Sequence, residues 1–226
     1  MEKIHIFIGS GPRFEEPTEA LIKSIEQNCA DPDRLDIHPM VAWKSAAFSN
    51  WKGQPTEESF GRPPSNGVRQ WVTPFLLFRY AVPWLMDFEG YAIYLDCDMI
   101  VLGDIQELWD LQQPHTWRAA PGTDGDCVCV IDCSTFPLEL NDIKNGNYGD
   151  KNRLRHIVNP ALKHTLPHEW NHTDKYVEGR SKLIHYTSMK TQPFQPYPEV
   201  IDYEPHPDPR AADIYRHYAR LCRTNS

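Results

Sequence analysis

Along the first forty residues the spacing of apolar positions changes period twice. In "KIHIFIG" (3–9), Ile4, Ile6 and Ile8 alternate with other residues, as in a strand, and the run stops at the turn-forming "GSGPR". "EPTEALIKSIEQNC" (16–29) then places Leu21, Ile22 and Ile25 at helical spacing behind an acidic first turn. "RLDIHPMV" (34–41) reads as a second strand. A β-α-β order predicts a parallel pair joined by a right-handed crossover, hence an α/β fold.

Further along, residues 43–70 are polar and rich in Gly, Pro and Ser, with Trp43, Phe48 and Trp51 among them. They read as a long surface loop of the kind that shapes a ligand site. "VTPFLLFRYAVPWLM" (72–86) reads as an apolar helix, with Phe75, Phe78 and Val82 on one stripe and Arg79 an isolated charge. "GYAIYLDCDMIVLG" (90–103) predicts a hydrophobic strand, "DIQELWDL" (104–111) a short helix, and "DGDCVCVIDCSTF" (124–136) a further strand. A helical stretch near 153–164, a turn at "LPHEWN" (166–171) and a strand with a proline-aromatic loop at 181–197 follow. "RAADIYRHYARLC" (210–222) predicts a last amphipathic helix, whose apolar side is read as packing on the core in preference to a membrane surface. No internal repeat or second domain is visible. Residues 1–226 are taken as one domain, with 197–226 an extended Pro-rich tail plus the C-terminal helix.

Composition narrows the possibilities. The 226 residues are 40% hydrophobic and 24% charged, which describes a globular chain. A net charge of −8 argues against nonspecific nucleic-acid binding, which needs a basic face. No run approaches the ~18 apolar residues of a membrane span, so no transmembrane segment is expected. The N-terminal apolar run is too short for a signal-peptide core. Cys29, Cys97, Cys127, Cys129, Cys133 and Cys222 are too scattered for a disulfide scaffold, which favours reduced thiols and a cytoplasmic protein. The C-x-C-x3-C spacing of the middle three is not a usual zinc arrangement.

Asp96 and Asp98 interrupt the apolar run of 90–103. Residues i and i+2 of an extended chain share a face, so both carboxylates would point to one place if the strand continues through them. Ligands bind outside the carboxyl ends of strands in open α/β sheets. Two close carboxylates repel unless a cation lies between them, and Mg²⁺ or Mn²⁺ suits oxygen donors and phosphates. The plain alternative is a pair of hydrated acids at a strand end. His185 lies at another strand end, as a third metal ligand or as an ordinary hydrogen-bonded residue. Lys190 and Arg79 are the cations available for a diphosphate, each with an ordinary surface or helix-end alternative.

The segment "FRYAVPWLMDFEGYAIYLDCDMIVLGDIQELW" resembles the central signature of glycosyltransferase family 8 and related small GT-A transferases. "IHIFIGSGPRFEEPTEALIKSI" resembles the family's opening strand, loop and helix, "LPHEWN" a recurring LP-x-x-W-N, and "KLIHYTSMKTQPF" the closing H-x-x-G-x-x-K-P-W. The resemblance implies a GT-A (Rossmann-like) fold with a mixed, mostly parallel sheet flanked by helices. It implies a metal-dependent glycosyltransferase moving a sugar from a nucleotide-sugar donor, UDP-linked, to an acceptor hydroxyl with retention. By the same resemblance Mn²⁺ (or Mg²⁺) would be held by Asp96, Asp98 and His185. Asp96, Lys190 and Arg79 would lie on the donor's diphosphate side, and the loop carrying Gly9, Ser10 and Arg13 against the nucleotide. Ser188 stands where the family has glycine, and Lys190 sits one residue early. The N-x-G positions of the middle strand read Asp126-Cys127-Val128. The resemblance names no nucleophile or base; Asp126 and Asp150 are the candidate acids. Trp51 and Trp71 are candidate stacking faces for sugars, or core packing. The competing readings are a haloacid-dehalogenase-like Mg²⁺ phosphohydrolase, with Asp96 as nucleophile, and a non-catalytic nucleotide-sugar-binding relative.

Overall fold

β1 (Ile4–Ser10), α1 (Glu15–Asn28) and β2 (Leu35–Val41) form the opening unit that the periodicity predicts, with β1 and β2 parallel and Ile4 opposite Leu35. The structure, a computed structural model, describes residues 2–52, 54–56, 73–121, 126–145, 162–163 and 165–223. Glu15 and Glu16 in the first turn of α1 oppose its positive end, where no side chain caps the helix. The helix buries Ala20, Leu21 and Ile25.

A mixed sheet of six strands runs in the order β2-β1-β3-β6-β5-β7. Here β3 is Tyr91–Asp96, β5 Trp117–Ala119, β6 Val128–Asp132 and β7 Leu162–Lys163. β3 lies parallel to β1, whereas β6 runs antiparallel between β3 and β5. Every residue of β6 is buried, which explains its nearly continuous apolar sequence. A second sheet of three strands is ordered β4-β9-β8, with β4 Met99–Val101, β8 His172–Thr173 and β9 Leu183–His185. Ser24 of α1 joins the layers: its hydroxyl accepts from the Val101 N–H at 3.0 Å.

Two predicted elements are corrected. Residues 72–86 are not one helix. Where described, they form turns, a 3₁₀ segment at Phe78–Ala81, and a short helix α2 at Val82–Leu85. Pro83 has no N–H and its ring crowds the carbonyl four residues earlier, so a helix cannot run through it. It can occupy the first turn of a new one. Residues 90–103 are likewise not one strand, because β3 ends at Asp96 and the chain bends before β4. The helix expected near 153–164 lies mostly outside the described residues, and Leu162–Lys163 within it pair with β5 as strand. Short elements that were not predicted include β5, β8 and α4 (Leu140–Lys144).

Asp104 caps the short helix α3 (Ile105–Trp109) by accepting from the Gln106 N–H at 3.0 Å. The last helix, α5 (Pro209–Arg223), buries Ala211, Ala212, Tyr215, Tyr218 and Ala219. Tyr215 donates to Glu16 of α1 at 2.9 Å, and Asn28 donates to the Tyr218 hydroxyl at 2.8 Å, so this helix packs on the core. Among the described residues no helix is long and apolar enough to cross a membrane.

Asp208 anchors α5. Its Oδ1 accepts from the N–H groups of Arg210 (2.9 Å) and Ala211 (3.3 Å), and its Oδ2 from Tyr176 (2.7 Å). Partial burial alone would raise its pKa; these backbone donors outweigh that and hold it below the ordinary 3.8. A depressed folded-state pKa gives stabilisation that is complete above about pH 4 and is lost as pH falls through the folded value. Asp208→Ala is therefore expected to cost about 1 kcal/mol near neutral pH. The deficit should shrink in acid, and urea midpoints measured across pH will check both.

Candidate functional site

The chain leaves the large sheet between Cys97 and Asp98. The Cys97 N–H still bonds Gly9 O on β1 at 3.1 Å, whereas Asp98 O accepts from the Tyr186 N–H, just past β9, at 2.9 Å. Asp96 thus ends a central strand of one sheet, and Asp98 lies where the chain joins the other. The bend, not strand alternation, brings both carboxylates to one cleft at the carboxyl end of β3. That cleft, about 80 Å³, is lined by Arg79, Asp96, Asp98, Cys127, His185 and Gln192, with apolar walls that include Phe75 and Met189.

Asp96 is held from two sides. Arg79 Nη2 lies 3.1 Å from each of its oxygens, and the Tyr94 hydroxyl donates to Oδ1 at 2.6 Å. Arg79 turns its other nitrogen, Nη1, to Asp126 Oδ1 at 3.0 Å, while Tyr80 donates to Asp126 Oδ2, also at 3.0 Å. The guanidinium is 2% exposed. Burial alone would lower its pKa, but Asp96 and Asp126 outweigh this and push it well above its ordinary value. Tyr94 explains Gly9. An added Cβ there would sit 2.3 Å from the Tyr94 hydroxyl, so only glycine leaves room for the Tyr94–Asp96 bond.

Asp98 and His185 face each other across the cleft. His185 Nε2 is 3.3 Å from Asp98 Oδ1, yet Oδ1 is buried with no aligned hydrogen bond. Asp98 Oδ2 accepts from Gln192 Nε2 at 3.3 Å. The Asn171 amide donates to Pro121 O at 3.2 Å, leaving its Oδ1, 3.0 Å away, to accept from His185 Nδ1–H. Nε2 is therefore the nitrogen presented to Asp98. Burial would lower the His185 pKa, but Asp98 more than reverses that; burial raises Asp98 in turn by more than His185 lowers it. Both shifts favour the protonated form of each group, and a divalent ion bound here would compete with those protons.

The residues fit such an ion. Ligand atoms of Asp96, Cys127 and His185 lie within 4.8 Å of one another, all buried, and the orphaned Asp98 Oδ1 borders the same space. Burial, then Asp96, raises the Cys127 thiol pKa well above its ordinary value. Cys127 is therefore a neutral thiol while no cation is bound, and the hard donors of the set are carboxylate oxygens beside an imidazole. Such a set suits Mn²⁺ or Mg²⁺.

The other predicted residues are dispersed. Lys190 is exposed, lies 3.3 Å from Glu204, and does not line the cleft. Ser10 is buried and shares a hydrogen bond with Thr18 at 2.6 Å; it borders a separate hollow with Gly11 and Lys44. Arg13 pairs with Glu199 and lies 5.0 Å from the Tyr197 ring centroid. Asp126 is enclosed beside Arg79, and Asp150 lies outside the described residues. Of the two readings of Trp51, core packing holds: it is 2% exposed and packs 5.1 Å from Phe78, so it offers sugars no face. Trp71 lies outside the described residues. Tyr94, Asn171 and Gln192 were not anticipated. Only Tyr94 carried a usable signal, since residues two apart on a strand share a face.

The phosphohydrolase reading needs Asp96 free to attack, whereas both its oxygens are engaged by Arg79. Comparison with solved structures points elsewhere. The galactosyltransferase LgtC, solved with donor and acceptor sugar analogues, superposes with a TM-score of 0.61 at 14% identity, covering 96% of each chain. The fold is GT-A. GlyE of Streptococcus pneumoniae shares this GT-A architecture, with a TM-score of 0.61 at 16% identity over 96% of this chain and 61% of that one. The bifunctional glycosyltransferase WbbM matches with a TM-score of 0.61 at 15% identity, over 96% of this chain and 50% of its own. No family model matches the sequence. Protein CDI of Arabidopsis thaliana is 46% identical over 109 residues, 47% of this chain and 36% of that protein, so the match spans about a third of that relative.

Arg79→Met would leave Asp96 and Asp126 buried without their cation. It is expected to cost about 3–5 kcal/mol in urea unfolding. Adding Asp126→Asn should recover part of that loss, because one uncompensated charge is removed with it.

Proposed function

We propose that this chain is a metal-dependent glycosyltransferase of the family 8 type. It would move a sugar from a UDP-linked donor to an acceptor hydroxyl with retention of anomeric configuration. One observation carries this reading: the orphaned Asp98 Oδ1 faces His185 Nε2 beside Asp96, at the carboxyl end of a strand in a GT-A sheet. The sugar-transferring activities named for LgtC, GlyE and WbbM support it. Six free cysteines support work in a reducing compartment such as the cytoplasm.

Asp96, Asp98 and His185 would hold Mn²⁺ or Mg²⁺, which supplies Lewis-acid stabilisation of the leaving diphosphate. The chain's own groups prepare that step. Arg79 and Tyr94 fix the Asp96 carboxylate, and Asn171 sets which His185 nitrogen faces the cleft. Gln192 holds Asp98 Oδ2, which leaves Oδ1 available as a ligand. Arg79 acts here as a positioning residue, because its charge is committed to two carboxylates. Phe75 and Met189 line the cleft and would limit water around a bound diphosphate, which would strengthen each electrostatic contact there.

A screen of UDP-sugars for Mn²⁺-stimulated donor hydrolysis tests the reading. Asp98→Ala and His185→Ala are each expected to reduce it by about 100-fold or more, and chelation should abolish it. Lys190→Ala should change it by less than about threefold, as suits an exposed, screened ion pair. UDP binding that is indifferent to Mn²⁺ and to both aspartates would overturn the assignment. Robust release of phosphate from p-nitrophenyl phosphate would favour the phosphohydrolase instead.

A further inference from the structure

At the amino end of β1, well away from the cleft, a second set of metal-ligating side chains converges. His5 of β1 stands opposite Asp36 of β2 in the strand register, and His38 follows Asp36 by two residues, on the same face. Asp36 Oδ2 lies 2.9 Å from His5 Nδ1 and 3.0 Å from His38 Nε2, and all three ligand atoms fall within 4.8 Å of one another. Phe7 stacks on the His38 ring, with centroids 4.9 Å apart and planes 22° apart, which fixes the ring's orientation. The cluster is open to solvent: the side chains of His5, Asp36 and His38 are 30%, 40% and 42% exposed. The basic side chains nearest in sequence turn elsewhere, Lys3 to Asp33 O and Arg34 to Glu2 O.

We propose that His5, Asp36 and His38 form a second metal site, selective for a borderline transition ion of the Zn²⁺ class, which clamps the edge strand β2 onto β1. Two imidazoles and one carboxylate are a zinc donor set, and solvent exposure leaves a fourth position for water. Metal–ligand bonds of about 2.0–2.2 Å would replace the two contacts to Asp36. The ring protons now on His5 Nδ1 and His38 Nε2 would leave, or move to the opposite ring nitrogens. The shifts required are small for side chains this exposed. The preference differs from the cleft's: imidazole nitrogen dominates here, and no phosphate is needed. His5 lies four residues before Gly9, the partner of Asp96, or roughly 13 Å along the sheet, so the two sites are separate. The inference is independent of the glycosyltransferase reading.

The test is calorimetric Zn²⁺ titration of the full, tag-free chain, repeated on Asp98→Ala to remove the cleft's contribution. One equivalent is expected to persist at micromolar affinity in Asp98→Ala and to disappear in His38→Gln and in His5→Gln. A Zn²⁺ concentration 100 times the Kd should raise Tm by about 5 °C or more in Asp98→Ala, and not when His5→Gln or His38→Gln is added to it. Circular dichroism establishes that each variant is folded; if one is not, the other gives the same reading. Unchanged Zn²⁺ stoichiometry in a folded histidine variant, or no binding by the parent chain, would overturn the proposal.

Discussion

The Arg79 guanidinium lies between two buried carboxylates, and much of the local structure follows from keeping it there. Removing three charges from water is costly, and it is sustained only where the geometry satisfies nearly every polar atom. Arg79 meets both Asp96 oxygens and Asp126, while Tyr94 and Tyr80 supply one hydroxyl to each carboxylate. The 3₁₀ segment before Pro83 turns Arg79 inward, the glycine at position 9 makes room for Tyr94, and the Arg79 guanidinium sits 5.0 Å from the Tyr94 ring centroid. Arg79, which the sequence offers as a phosphate-binding cation, lines the cleft with its charge committed to two carboxylates, and it braces Asp96.

What was legible in the sequence was whatever depends on local periodicity. The opening β-α-β unit, the start of the strand into Asp96, α3 and α5 follow from local spacing to within two residues, because their apolar spacing and their punctuating glycines and prolines agree. What was not legible depends on contacts distant in sequence. Residues 72–86 are apolar enough for a helix, and only Pro83 hinted at the break. The division of 90–103 between two sheets has no local signal at all, since Met99, Ile100 and Val101 continue the same apolar character. Their second sheet exists because β9, some 85 residues later, pairs with them. Very short strands such as β5 and β8 owe their existence to partners in the same way.

The candidate site was half legible for the same reason. Asp96, Asp98 and His185 were identifiable from residue type and strand ends, and the structure brings them together. Lys190 was carried over by motif alignment, yet it faces solvent beside Glu204. Tyr94, Asn171 and Gln192 act through hydrogen bonds that only the folded chain can create. They decide which oxygen and which nitrogen are presented, so they matter to the chemistry as much as the groups they orient.

The bend at Cys97 gives the site a mechanical consequence. Asp96 is fixed to the large sheet through β3, whereas Asp98 and His185 are fixed to the small one, with Met99 opposite His185 in the ladder. An ion taken up by all three would bridge the two sheets. Their relative position would then enter its affinity, and ion binding would stiffen the joint in return. Cys97 lies fully buried at that joint, between the N–H···O bond to Gly9 and the one linking Asp98 to Tyr186. Its thiol hydrogen-bonds with Ser10 and Thr18, so a bulkier residue there would crowd the packing of α1 on the large sheet beside the bend. The residue between the aspartates is thus tied to α1, while the carboxylates on either side of it answer to different sheets.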